Sequence, residues 1–170
     1  TDTAEACNTY NMLKLTRELW LLEPNDAAYF DYYERALLNH LIGQQNPNDN
    51  HGHICYFTGL NPGHRRGNTG PAWGGGTWST DYGTFWCCQG TGLEMHTRLM
   101  DSIYYRSDDT LIVNLFVPSV LNWSERGITV TQTTTYPVGD TTTLKVTGSV
   151  GGSWAMRIRI PGWTTGATIS

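Results

Sequence analysis

Residues 101–117 read Asp101-Ser102-Ile103-Tyr104-Tyr105-Arg106-Ser107-Asp108-Asp109-Thr110-Leu111-Ile112-Val113-Asn114-Leu115-Phe116-Val117, and within them the hydrophobic period changes. Upstream the apolar residues recur at helical spacing. Thr3 is placed to cap a helix over residues 3–22, with Ala4, Cys7, Met12, Leu15, Leu19 and Leu22 near one stripe. Glu23-Pro24 ends it, because proline disfavours a helical residue before it. Asn25 or Asp26 caps a second helix to about Ile42, with Tyr29, Tyr33, Leu37 and Leu41 four apart, Phe30 and Leu38 beside them, and Gly43 as the stop. The short connection makes these two helices antiparallel neighbours. A third helix is predicted from about Gly92 to Tyr105, with Leu93, Met100, Ile103 and Tyr104 facing inward.

Downstream the pattern is that of strands. Leu111–Val117 is an apolar run, and Ile128–Tyr136, Thr141–Val146 and Trp154–Ile160 follow at hairpin-like intervals. Gly127, Gly139-Asp140 and Gly151-Gly152 punctuate them. Arg157-Ile158-Arg159-Ile160 alternates strictly, which predicts one buried and one wet face. Helices first and strands second make an α plus β chain, with two architectural units meeting near residue 108: residues 1–107 and 108–170. Residues 110–161 are expected to be mostly antiparallel.

Composition excludes several classes of partner. The chain has 170 residues and a formal net charge of -4, and its 11 Lys and Arg form no block. Neither nucleic acid nor an anionic membrane surface fits that distribution. Its longest apolar runs are far shorter than the ~20 residues of a spanning helix. Thr1-Asp2-Thr3 is neither an initiator methionine nor a signal peptide, so the chain reads as a piece cut from a longer protein. Seven Trp and nine Tyr are many for this length. Such rings either fill a core or face sugar C–H surfaces, and core filling accounts for most of them. Residues 44–86 show little periodicity and carry Gly59, Gly63, Gly67, Gly70, Gly74, Gly75, Gly76 and Gly83 among Trp73, Trp78, Tyr82, Phe85 and Trp86. A loop of this length is functional or disordered, and its aromatics argue against disorder.

Four cysteines are present: Cys7, Cys55, Cys87 and Cys88. The adjacent pair cannot bond to each other without straining the intervening peptide. Glu5-Ala6-Cys7 opens a helix, where the dipole and free N–H groups favour both side chains as anions. Glu5, Cys7, Cys87 and Cys88 together offer three sulfurs and one oxygen of the kind zinc accepts. The other reading of the same residues is that buried cysteines serve as small hydrophobes.

Two segments carry a resemblance. Ala4-Glu5-Ala6-Cys7-Asn8-Thr9-Tyr10-Asn11-Met12-Leu13-Lys14-Leu15 and Phe85-Trp86-Cys87-Cys88-Gln89-Gly90-Thr91-Gly92-Leu93-Glu94 resemble segments of the bacterial β-L-arabinofuranosidases of glycoside hydrolase families 127 and 146. Asp101–Tyr105, Val113–Ser119 and Arg159-Ile160-Pro161-Gly162-Trp163 fit stretches that follow in the same order. The resemblance implies the C-terminal part of an (α/α) six-hairpin barrel, or toroid, followed by part of an antiparallel β-sandwich. It implies a retaining glycosidase in which Glu5, Cys7, Cys87 and Cys88 bind zinc and Cys87 is the nucleophile. The family's acid/base glutamate would lie before Thr1, so the fragment alone should be inactive. Expected substrates are arabinose-containing plant glycans or glycoprotein oligosaccharides. Family members act outside the cytoplasm or inside it, so a secreted, periplasmic or cytoplasmic bacterial enzyme is implied without a choice among them.

The remaining residues each carry two readings. Cys55 reads as core. Tyr56 either packs or touches the sugar, with packing favoured, and Glu94 either hydrogen-bonds loop N–H groups at the start of the third helix or binds a hydroxyl. His51, His53 and His64 are solvated loop histidines or part of a second metal site. His40 is expected to serve as a favourable charge near the end of the second helix, while His96 is given no role. Arg65 and Arg66 read as wet surface rather than as contacts to a carboxylated substrate. Asn122-Trp123-Ser124 is a glycosylation sequon, idle in a bacterial protein. Two other functions compete: a non-catalytic carbohydrate-binding module in the β-rich half, and a structural zinc domain. Both the enzyme and the zinc domain need the Glu-x-Cys and Cys-Cys pairs. The resemblance favours the enzyme.

Overall fold

The computed structural model describes residues 3–66, 77–148 and 151–170. Gly67, Gly70, Trp73, Gly74, Gly75 and Gly76 of the long loop lie outside them. Two compact units form: Thr1–Leu99 with Pro161–Ser170, and Met100–Ile160. Among the described residues, no helix is long and apolar enough to cross a membrane.

In the first unit, strand β1 (Thr3–Glu5) leads directly into helix α1 (Ala6–Leu22). The helix therefore starts three residues after the predicted Thr3 cap, and Glu5 takes the cap position. The reason is long-range. Strand β2 (Phe57–Gly59) pairs antiparallel with β1, Glu5 opposite Phe57, and holds these residues extended. The buried face of α1 also differs from the expected stripe. It is Ala6, Tyr10, Leu13, Thr16 and Trp20, while Met12, Leu15, Leu19 and Leu22 are exposed. Both faces have helical spacing, and the one with the large rings is buried. Trp20 meets Phe30 edge-on, with ring centres 5.2 Å apart.

Helix α2 (Ala28–Ala36) continues as a π turn over Leu37–Leu41 and a 3-10 turn over Ile42–Gln44. Asp26 accepts the Ala28 N–H at 2.9 Å, as expected of a residue starting a helix. Phe30, Tyr33, Leu37 and Leu41 are buried, with Tyr29 only half-buried. Gly43 does not stop the helix: it lies inside the 3-10 turn, and the chain becomes extended at Gln45. Helix α3 spans Cys87–Arg98 and tightens to a 3-10 turn over Leu99–Ser102. It begins five residues before the predicted Gly92. The low helix propensity of Gly90 and Gly92 hides that start, and the cap reveals it. The Gln89 side chain accepts the Trp86 N–H at 3.2 Å, and the Gln89 N–H donates to the Trp86 carbonyl at 3.1 Å. Leu93 and Met100, expected inside, are exposed; Cys88, Thr91, Gly92 and Met95 are buried instead.

In the second unit, strand β3 (Tyr104–Ser107) already occupies residues assigned to the third helix. It turns through Asp108, at φ 48°, into β4 (Thr110–Val113), so the change of period marks a tight hairpin. Next come β5 (Ser119–Trp123), β6 (Ile128–Thr134), β7 (Thr142–Gly148) and β8 (Ala155–Ile158). The sheets have orders β3-β4-β8 and β5-β6-β7. Four of the pairings in this unit and the first are antiparallel, in line with the expectation of mostly antiparallel strands, and the exception is β8, which runs parallel to β4. The chain leaves β4, makes the second sheet and returns in the original direction. The alternation Arg157–Ile160 breaks where β8 ends: Arg159 is buried and Ile160 exposed. Arg159 Nε donates to the Asn114 carbonyl at 2.7 Å, which satisfies the buried cation. Leu111, Trp123, Ile128 and Val130 form the core, and Tyr104, Leu121, Leu144, Trp154 and Met156 pack on it, so both sheets contribute.

Candidate metal and nucleophile site

The first unit brings two helix starts together. Glu5 caps α1 and Cys7 is its second residue, while Cys87 and Cys88 are the first two residues of α3. One donor atom from each of Glu5, Cys7, Cys87 and Cys88 lies within 4.8 Å of every other. Cys7 Sγ is 3.2 Å from Cys88 Sγ, and all four cysteines are free thiols. A tetrahedron with Zn–S bonds of about 2.3 Å has edges of ~3.8 Å, so small side-chain shifts suffice to place this set around zinc. The donor chemistry also fits: sulfur and carboxylate oxygen at two positive helix ends.

The three thiols have different surroundings. Cys88 is fully buried, Cys7 is partly buried and Cys87 is exposed. Burial pushes the Cys88 thiol well up. Burial also raises Cys7, although the Thr91 hydroxyl donates to its sulfur at 3.0 Å and pulls the other way. Cys87 alone is held below the ordinary thiol value, chiefly because the Tyr56 hydroxyl lies 3.1 Å from its sulfur and stabilises the thiolate. That same hydrogen bond raises the Tyr56 phenol. Tyr56 reaches this place through the β1–β2 ladder, and its carbonyl accepts the Ala6 N–H at 3.5 Å. Its ring meets Trp86 edge-on at 5.9 Å. Tyr56 therefore touches the sulfur as well as packing.

Glu94 stands apart. It is exposed midway along α3, seven residues after the helix start, and pairs with Arg98 at 3.6 Å. Burial and the Glu94 charge push the Tyr10 phenol up to about 12. Cys55 is buried, as expected. His40 corrects its expected role: it is buried, its Nδ1 is 2.9 Å from Thr9 Oγ1, and burial lowers its pKa, so it favours the neutral form. Arg66 Nη2 donates to the Asn39 carbonyl at 2.6 Å. Thr91 and Gln44 went unnoticed in the sequence. Thr91 lies one helical turn after Cys87, a spacing visible only once α3 is started at Cys87. Gln44 Nε2 donates to the Cys88 carbonyl at 3.4 Å, a contact between distant residues with no local signature.

The family model for the β-L-arabinofuranosidase GH127 catalytic domain matches residues 1–101, and that for the GH127 middle domain matches residues 110–170. The chain belongs to glycoside hydrolase family 127. Two solved family 127 proteins share its fold. The GH127 β-L-arabinofuranosidase of Geobacillus stearothermophilus has a TM-score of 0.72 and 26% identity, covering 96% of this chain and 26% of its own. A second GH127 β-arabinofuranosidase has a TM-score of 0.67 and 28% identity, covering 94% of this chain and 23% of its own. This family 127 chain thus spans about a quarter of each. No curated protein matches it.

Proposed function

We propose that this chain is the nucleophile-bearing segment of a longer retaining β-L-arabinofuranosidase, with zinc held by Glu5, Cys7, Cys87 and Cys88. One observation carries the reading: four donor atoms from two helix starts converge, and only one of their thiols, Cys87, is exposed. Within the longer protein the helical part belongs to an (α/α) toroid and the strands to a β-sandwich. Zinc, when bound, keeps the thiols deprotonated and fixed in place.

Cys87 Sγ attacks the anomeric carbon of an arabinofuranosyl unit as the glycosidic C–O bond breaks. A glutamate from the polypeptide before Thr1 protonates the departing oxygen. The resulting sulfur–carbon bond is cleaved by water, which that glutamate deprotonates, and Cys87 returns as thiolate with retention of configuration. Tyr56 donates a hydrogen bond to the Cys87 sulfur, lowering its proton affinity and fixing its direction. Cys88, which is buried, and Cys7, which is partly buried, serve as ligands. Substrates on this reading are plant glycans or glycoprotein oligosaccharides carrying β-linked L-arabinofuranose.

The test uses the full-length enzyme. Cys87→Ser should abolish turnover, because a hydroxyl stays protonated near neutral pH and is a poorer ligand. Cys55→Ser should keep most activity at a stability cost of about 1–3 kcal/mol for an imperfectly paired buried hydroxyl. Zinc content is measured alongside each. A sugar haloacetamide should label Cys87. An adduct on Cys88, or on no cysteine, overturns the assignment.

A further inference from the structure

A second group of donors lies on the long loop. His51, His53 and Asp81 each present a donor atom within 4.8 Å of the others. Asp81 Oδ1 is shared by two imidazoles: His51 Nδ1 at 2.8 Å and His53 Nε2 at 3.1 Å. The two rings stack, with centres 5.5 Å apart. Behind them, the other nitrogen of His53, Nδ1, contacts Asp49 Oδ2.

This grouping is built by the backbone. Gln45 pairs with Ile54 and Cys55 with Trp78. The Ser79 N–H donates to the Ile54 carbonyl at 2.7 Å, while Ser79 Oγ accepts the Ile54 N–H at 3.0 Å. These bonds hold Asp81 beside a turn closed by the Asn46 N–H on the His53 carbonyl, at 2.8 Å. Gly52, between the two histidines, sits at φ +74°, and a Cβ there would come within 2.9 Å of the Gln45 side chain. The turn that aims both rings at Asp81 thus requires glycine at this position.

We propose that His51 Nδ1, His53 Nε2 and an Asp81 oxygen form a second metal site, for a first-row divalent ion of the zinc type. Imidazole and carboxylate are suitable ligands for such ions. With metal–ligand bonds of about 2.0–2.1 Å, tetrahedral edges are ~3.3 Å, close to the nitrogen–oxygen separations here. Asp49 completes the arrangement. A carboxylate on Nδ1 fixes the tautomer that leaves Nε2 free to ligate, as behind most metal-bound histidines. The three donors lie on the wall of a cavity of about 430 Å³, whose lining also includes Tyr82, Phe85 and His96. Three protein ligands leave the ion room for water or for an oxygen of a molecule in that cavity.

The experiment counts zinc in the full-length protein after dialysis against Zn²⁺ and then buffer, with thiol accessibility read in parallel. One equivalent beyond any held by the thiols is expected. His51→Ala and Asp81→Asn should each lose that equivalent and leave thiol accessibility unchanged, which shows an intact fold. Asp49→Asn should weaken its binding by about 10- to 100-fold, and His96→Ala should leave it unchanged. The thiol site can fail separately: an unchanged zinc content in both Cys7→Ser and Cys88→Ser would refute that site while the imidazole equivalent remained. If the wild type takes up no zinc that His51→Ala and Asp81→Asn both lose, the second site does not exist.

Discussion

Removing one oxygen tests how Cys87 is activated. In Tyr56→Phe the ring still packs on Trp86, but the hydroxyl 3.1 Å from the sulfur is gone. A hydrogen bond to a charged group contributes about 1.5–3 kcal/mol. Cys87 is exposed, so screening by water reduces this to about 1 kcal/mol. Losing the bond moves the thiol pKa up, and about 1 kcal/mol is about fivefold in an equilibrium. Near neutral pH the thiolate fraction falls about fivefold, but the more basic thiolate is about twofold more nucleophilic, since reactivity rises with pKa at a slope of ~0.4–0.5. Net alkylation should slow about 2.5-fold at neutral pH and quicken about twofold at high pH, where both proteins are ionised. The assay follows iodoacetamide modification of the Cys87 peptide by mass spectrometry across pH, in metal-free full-length protein. Two rate profiles that cross are the signature. Parallel profiles with one midpoint, or a midpoint that moves down in the variant, would refute activation by Tyr56.

Two further outcomes follow from burial. His40 has a folded pKa below the ordinary value, first because of burial and second because of Arg66, so the unfolded chain takes up the proton more readily. Its contribution to stability is complete above about pH 6.5 and is lost as pH falls towards the lowered folded value. Urea midpoints measured between about pH 7.5 and about pH 5.5 should fall less steeply in His40→Leu than in wild type, and equal slopes would show that His40 does not titrate on unfolding. Trp123→Ala removes a ring enclosed by Leu111, Ile128, Val130 and Trp154 and should cost about 3–5 kcal/mol in chemical denaturation, whereas a loss under ~1 kcal/mol would mean the two sheets do not share that core.

Much of the site could be read in the chain because its chemistry is carried by rare residues in short segments. Glu5-Ala6-Cys7 and Cys87-Cys88 name the donors, and both segments lie within the residues 1–101 that the catalytic-domain family model matches. The division into helices and then strands was legible because each element has its own hydrophobic period. Element boundaries were less so. Two glycines concealed the start of α3, and β1 is a strand only because residues more than fifty positions away pair with it.

What the sequence by itself determined is the inventory: three thiols and a carboxylate, two loop histidines flanking a glycine, and two kinds of periodicity. Tertiary structure alone decided how that inventory is used. It buried the Tyr10–Trp20 face of α1 over the equally periodic Met12–Leu22 stripe, because only one face meets Phe30. It laid β8 parallel to β4, sealed Cys88 while leaving Cys87 open, and set Asp81 against His51 and His53. Local pattern reports on neighbours within about one helical turn or one strand step. Each of these choices depends on a partner ten or more residues away, beyond the reach of local pattern, and is made by whichever contacts bury the most surface once the whole chain has folded.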